Sequence, residues 1–153
     1  MTPALDEDRL WMARALEMAR LAQTRGEVPV GAVIVRDGKL LSEGHNLTVT
    51  LADPTAHAEV VAIRLATARQ GDWRLEGSTL YTTLEPCTLC SGALVLARVP
   101  RVVYGAADPK AGMAGSLGNL LQDSRLNHHA EVTAGVLAEA SSHLLQTFFR
   151  IRR

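Results

Sequence analysis

Apolar side chains recur near the start of the chain with the period of an α-helix. Trp11, Ala15, Met18 and Ala22 fall on one side while Arg14, Glu17 and Arg20 fall elsewhere, which predicts an amphipathic helix over residues 6–25, ended by Gly26. The pattern then changes. Residues 30–36 and 39–44 are apolar runs on either side of Asp37-Gly38, a pair that favours a two-residue hairpin turn, so two antiparallel strands are expected. The polar stretch 46–52 reads as a loop leading into a second helix, with Asp53 as its N-cap, Pro54 as its first residue and Gly71-Asp72 as its end. Residues 78–84, rich in β-branched and aromatic side chains, predict a third strand. Pro86 opens a third helix that Pro100 forces out, and residues 101–105 predict a fourth strand. This alternation implies parallel crossovers, with helices on the sheet faces and ligands held at the carboxyl ends of strands. Residues 106–127, with Gly112, Gly115 and Gly118, read as a surface connection with room for a short helix at 117–122. A short fifth strand at 131–135 and a closing helix at 138–150 follow, the latter burying Leu137, Leu144, Phe148 and Ile151.

Composition narrows the class. A chain of 153 residues, 47% hydrophobic and 21% charged, is expected to be a single domain spanning 1–153. It contains no run of about 18 apolar residues and no charged-then-apolar leader, so no membrane span is expected and a cytoplasmic location is. With 16 basic and 16 acidic residues, the formal net charge is zero. That balance argues against a large phosphate-tracking surface, so any RNA contact must come from locally clustered Arg and Lys.

The chemistry lies in His57-Ala58-Glu59 and Pro86-Cys87-Thr88-Leu89-Cys90. His57, Cys87 and Cys90 are zinc ligands by type, and the chain has only 2 Cys, both in the second stretch. A structural zinc is closed by four protein ligands, whereas a catalytic one keeps three and leaves the fourth position to water, whose pKa the metal brings to about 7. Placed in the first turn of its helix, His57 is kept neutral by the helix dipole. Cys87 and Cys90, spaced i, i+3, share one face of the next helix near its donor N–H groups, which favours thiolates. Glu59, about 200° around the helix axis from His57, approaches the open position from the side as a proton carrier. Against this stand plainer readings: a thioredoxin-like redox pair for the cysteines, a satisfied core histidine for His57 and a surface carboxylate for Glu59. The presence of both stretches in one chain favours zinc. His45, His128, His129 and His143 have no partner at metal spacing.

His-x-Glu paired with Pro-Cys-x-x-Cys is the known signature of zinc nucleobase deaminases, tRNA adenosine deaminases among them. Gly26-Glu27-Val28-Pro29-Val30-Gly31-Ala32-Val33, Asp53-Pro54-Thr55-Ala56-His57-Ala58-Glu59, Thr83-Leu84-Glu85-Pro86-Cys87, Ala114-Gly115-Ser116 and Phe148-Phe149-Arg150 extend the match. From about residue 11 to the end, the chain resembles the bacterial tRNA-specific adenosine deaminases. The resemblance implies an α/β fold of three layers, α/β/α and cytidine-deaminase-like, with a five-stranded mixed sheet and helices on both faces. It implies one Zn²⁺ per subunit and hydrolytic deamination of adenosine to inosine at the wobble position of a tRNA, with Glu59 as the proton shuttle. In that family the residue matching Asn46 holds the target base, and those matching Asp108, Lys110 and Asn127 contact the anticodon stem-loop. Phe149 and Arg153, with Arg150 and Arg152, resemble an aromatic platform beside phosphate-binding cations; the plainer reading is cations at a helix end. A homodimer whose tRNA site uses both subunits is also implied. One departure stands out: the loop Leu47-Thr48-Val49-Thr50-Leu51 is uncharged where the family usually places Arg, which touches RNA affinity more than chemistry. The alternatives are a small-molecule nucleobase or nucleoside deaminase of guanine or cytosine type, and a zinc-stabilised RNA-binding module without catalysis.

Overall fold

The computed structural model describes residues 3–151. The chain runs α1 (Pro3–Thr24), β1 (Gly31–Arg36), β2 (Lys39–His45), α2 (Ala58–Gln70), β3 (Ser78–Leu84), α3 (Thr88–Leu96), β4 (Arg101–Ala106), a 3₁₀ turn (Leu120–Gln122), β5 (Glu131–Thr133) and α4 (Ala138–Ile151). The strands form one sheet in the order β2-β1-β3-β4-β5. β1 is antiparallel to both β2 and β3, whereas β3 with β4 and β4 with β5 are parallel, so the sheet is mixed as expected.

Local chemistry accounts for the elements. Asp37 and Gly38 both take positive φ, 53° and 72°, which is the twist a two-residue turn needs to bring Arg36 opposite Lys39. Gly71 caps α2 in the left-handed region and donates its N–H to the Thr67 carbonyl. Along the central strands successive side chains go to opposite faces. Ala32, Ile34, Leu80 and Val102 join one apolar cluster, and Val33, Val35, Tyr81 and Val103 join the other. α2 and α3 cover the first face, α1 and α4 the second. A strand buried on both faces reads as a continuous apolar run, and β1 does.

Two buried stripes differ from the sequence expectation. Among the described residues of α1 the buried apolar positions are Met12, Ala15, Leu16, Ala19 and Ala22, so the helix is turned to seat its small residues on the sheet. There Gly31 lies so close that a Cβ would strike the Ala15 carbonyl and the Ala19 amide. In α4, Ser141 and Phe148 are buried while Ile151, the last residue of the helix, is 74% exposed. Across the α1 face, Asp8 receives both ends of the Arg101 guanidinium (2.8 and 2.7 Å) and the Tyr81 hydroxyl (2.8 Å). The bidentate pair ties α1 to β4, and the Tyr81 hydroxyl ties it to β3. No described helix is long and apolar enough to cross a membrane.

Candidate active site

β2 and β3 run the same way on either side of β1, so the helices that follow them begin at one edge of the sheet. Both helices start later than the sequence suggested. α2 begins at Ala58 and α3 at Thr88, which makes His57 and Cys87 the N-cap residues, each in extended backbone conformation. The cap expected at Asp53 is a tight turn instead. Its Oδ1 accepts the N–H and the hydroxyl of Thr55, at 2.8 and 2.7 Å. Asp competes for backbone donors two residues on in just this way, which is why Asp-Pro does not open α2. Neither N-cap side chain makes a capping hydrogen bond, so the imidazole and the thiol are free to face one another.

They do so at metal-ligand spacing. His57 Nδ1 lies 3.5 Å from Cys87 Sγ and 3.4 Å from Cys90 Sγ. Tetrahedral zinc, with Zn–N and Zn–S bonds of about 2.0 and 2.3 Å, sets nitrogen and sulfur about 3.5 Å apart. The three donor atoms lie within 4.8 Å of one another, and among the described residues no fourth His, Cys, Asp or Glu joins the group. The donor set therefore fits zinc with one open corner. Protons are distributed accordingly. Cys87 is pulled down to about 3, first by its hydrogen bond from Cys90 and then by His57, while Cys90 is pushed up by the same contact. His57 is raised mainly by its contact with Cys87. A cation displaces such shared protons when it binds.

Glu59, in the first turn of α2, is only 4% exposed. Burial raises its carboxyl to about 7, against the pull of its own backbone N–H. It lines the same cavity as His57 and Cys87, a space of about 300 Å³ walled by Val28, Val30 and Leu84. Asn46 and Asp108 also line this cavity. Asn46 is 8% exposed and is fixed through its backbone: His45 Nδ1 donates to the Asn46 carbonyl (2.8 Å). Arg25, which can only donate, contacts His45 Nε2 at 3.0 Å, so His45 carries its proton on Nδ1.

The remaining expected contact residues lie outside the cavity. Lys110 and Asn127 are exposed. Phe149 is 50% exposed and packs edge-on against buried Phe148, with ring centroids 5.3 Å apart. Arg153 and Arg152 lie outside the described residues.

Sequence reasoning missed two buried carboxylates. Glu27 is fully covered and accepts from Val49 N–H (3.1 Å), Thr50 N–H (2.7 Å) and the Thr50 hydroxyl (2.6 Å), which fastens the uncharged loop to the cavity rim. Glu85 does the same across the cavity. Its Oε1 accepts from Asp108 N–H (2.9 Å), and its Oε2 from Ala114 and Ser116 N–H, both 3.0 Å. The only signal available was position: each acid sits inside an apolar stretch, where an unpartnered carboxylate would be costly.

Residues 5–106, which carry both ligand stretches and Glu59, match the cytidine and deoxycytidylate deaminase zinc-binding region. The chain belongs to this deaminase family. Zinc is thus the cofactor of the deaminase. Among its relatives, a tRNA-specific adenosine deaminase of Bacillus subtilis is 51% identical over 146 residues, covering 95% of this chain and 91% of the relative. A structure from a study of A-to-I editing by tRNA:A34 deaminases superposes with a TM-score of 0.85 at 43% identity, covering 88% of this deaminase and 98% of that chain. The structure of a guanine deaminase from Bacillus subtilis gives 0.65 at 41% identity over 76% of this chain and 71% of the other.

Proposed function

We propose that this chain hydrolyses adenosine to inosine, releasing ammonia, at the wobble position of a tRNA anticodon. In this reading His57, Cys87 and Cys90 hold one zinc, and Glu59 moves the protons. The observation that carries it is Glu59: a buried carboxyl, raised to about 7, lining one small cavity with the metal-ligand side chains His57 and Cys87. Zinc bound there supplies Lewis acidity that makes water a nucleophile at neutral pH. Glu59 takes a proton from the water that attacks C6 and passes it to the purine N1; it then takes the proton of the new C6 hydroxyl and passes it to the amine, which leaves as ammonia when the C6–N bond breaks. A base with a pKa near working pH both takes and gives protons readily. Val28, Val30 and Leu84 offer apolar walls to the flat faces of a base, and Asn46 offers an amide to its edge. The cavity holds one base, so the target nucleotide must leave its stack, which costs little in an anticodon loop. Asp108, Lys110, Asn127, Phe149 and Arg153 are the proposed contacts to the stem-loop. The protein works as a homodimer in the cytoplasm, and residues 1–153 act as one domain.

The likeness to guanine deaminase supports a second reading, in which a free purine is the substrate. Incubating zinc-loaded protein with total tRNA, and separately with guanine, distinguishes the two. Adenosine read as guanosine at the first anticodon position is the expected result. Xanthine from guanine with unaltered tRNA would overturn the proposal.

A further inference from the structure

Glu85 is a buried side chain that the deamination chemistry leaves unused. It follows β3 directly and precedes Pro86-Cys87, and it is 2% exposed. Every partner of its carboxylate comes from residues 108–116: the N–H groups of Asp108, Ala114 and Ser116, and the Ser116 hydroxyl. The Pro86 carbonyl beside it accepts the Met113 N–H at 2.8 Å, so the same segment is fixed to the cysteine-bearing turn at a second point. The enclosure is tight: a Cβ on Gly112 would collide with the carboxylate. A loop wound around an ion carries its orientation outward. Asp108, whose N–H is held by Glu85, turns its own Oδ1 to the N–H groups of Lys110 and Ala111 (3.1 and 3.2 Å), and both Asp108 and Ala111 line the cavity.

We propose that Glu85 is a positioning residue: it straps residues 108–116 to the turn bearing Cys87 and thereby sets the cavity wall against which the substrate nucleotide is held. The inference rests on the tRNA reading given above. Glu85 also lines the cavity, but both of its carboxylate oxygens are taken up by residues 108–116, so it acts through Asp108 and Ala111. Glutamine has the same size but presents one NH₂ group to a site made of donors, so Glu85→Gln loosens the strap without emptying it.

The test is steady-state deamination of an anticodon stem-loop by zinc-loaded protein, with zinc content and amide hydrogen exchange measured alongside. Glu85→Gln is expected to keep its zinc, to lose protection at the Ala114 and Ser116 amides, and to raise KM about tenfold or more with a smaller change in kcat, because a wall displaced by about 1 Å misplaces the substrate. Combined with Asp108→Ala, it should add little to the effect of that change alone, since the two act in series. Should Glu85→Gln fail to fold, Ser116→Ala takes its place. That variant removes one hydroxyl donor and should raise KM about threefold. A folded, zinc-loaded variant with wild-type KM, or one altered only in melting temperature, overturns the strap. Wild-type protein inactive on the stem-loop overturns the substrate reading itself, which separates the two failures.

Discussion

The turn at His57 and the turn at Cys87 have the same design and opposite electrostatics. Each places a metal-ligand side chain at a helix N-cap, and each has a buried carboxylate two residues away, Glu59 after the histidine and Glu85 before the cysteine. Around Glu59 burial prevails, and the carboxyl rises to about 7. Around Glu85 burial also pushes upward, but the Ser116 hydroxyl and three backbone N–H groups outweigh it and hold the group below its ordinary value. Environment alone assigns two identical side chains to two tasks. An acid that exchanges its proton near neutrality can take part in a reaction, and one that stays charged can hold a loop.

The largest contrast should appear in turnover. Glu59→Gln is expected to retain zinc and to lower kcat by about 10²- to 10⁴-fold, the usual weight of a general acid and base. Metal analysis beside inosine formation checks this, and near-normal turnover in a metal-loaded variant would refute the role. The comparison with Glu85→Gln, where the loss belongs mainly in KM, is sharper than either measurement alone.

A smaller effect lies in the pH dependence of stability. Because Glu85 is depressed in the folded protein, it stabilises the fold at pH above the ordinary carboxylate range, and this contribution is lost as pH falls through its folded value. Glu27 and Asp8, depressed in the same sense, add to the same acid limb. Glu59 has the opposite sign: its raised value favours the fold while protonated, and that advantage is lost as pH rises toward about 7. Urea midpoints measured between about pH 3 and 8 should therefore show a shallower acid limb in Glu85→Gln. They should also show a gain in stability confined to the neutral side in Glu59→Gln. Parallel curves for the two variants would remove the distinction.

Much of this was legible in the chain. Asp37-Gly38 announced the hairpin, the β-branched run at 78–84 announced β3, and the two ligand stretches announced a zinc with an open corner. The start of α2 was misplaced because a local turn at Asp53 wins the backbone donors that a cap would have used. Residues 106–127 read as a plain connection because glycines and small residues show no period. Their order comes from a carboxylate more than 20 residues away in sequence, a tertiary contact that no local pattern records. The buried face of α1 was turned by the absence of a side chain at Gly31, a packing fact visible only once strand and helix meet.

X-ray absorption at the zinc edge of the loaded wild-type protein addresses the central point most directly, namely that three side chains hold the metal and solvent completes it. Two sulfurs at about 2.3 Å, one imidazole nitrogen and one further light atom at about 2.0–2.1 Å are expected. A third sulfur, a second imidazole, or a Cys87–Cys90 disulfide that leaves no zinc bound would contradict it.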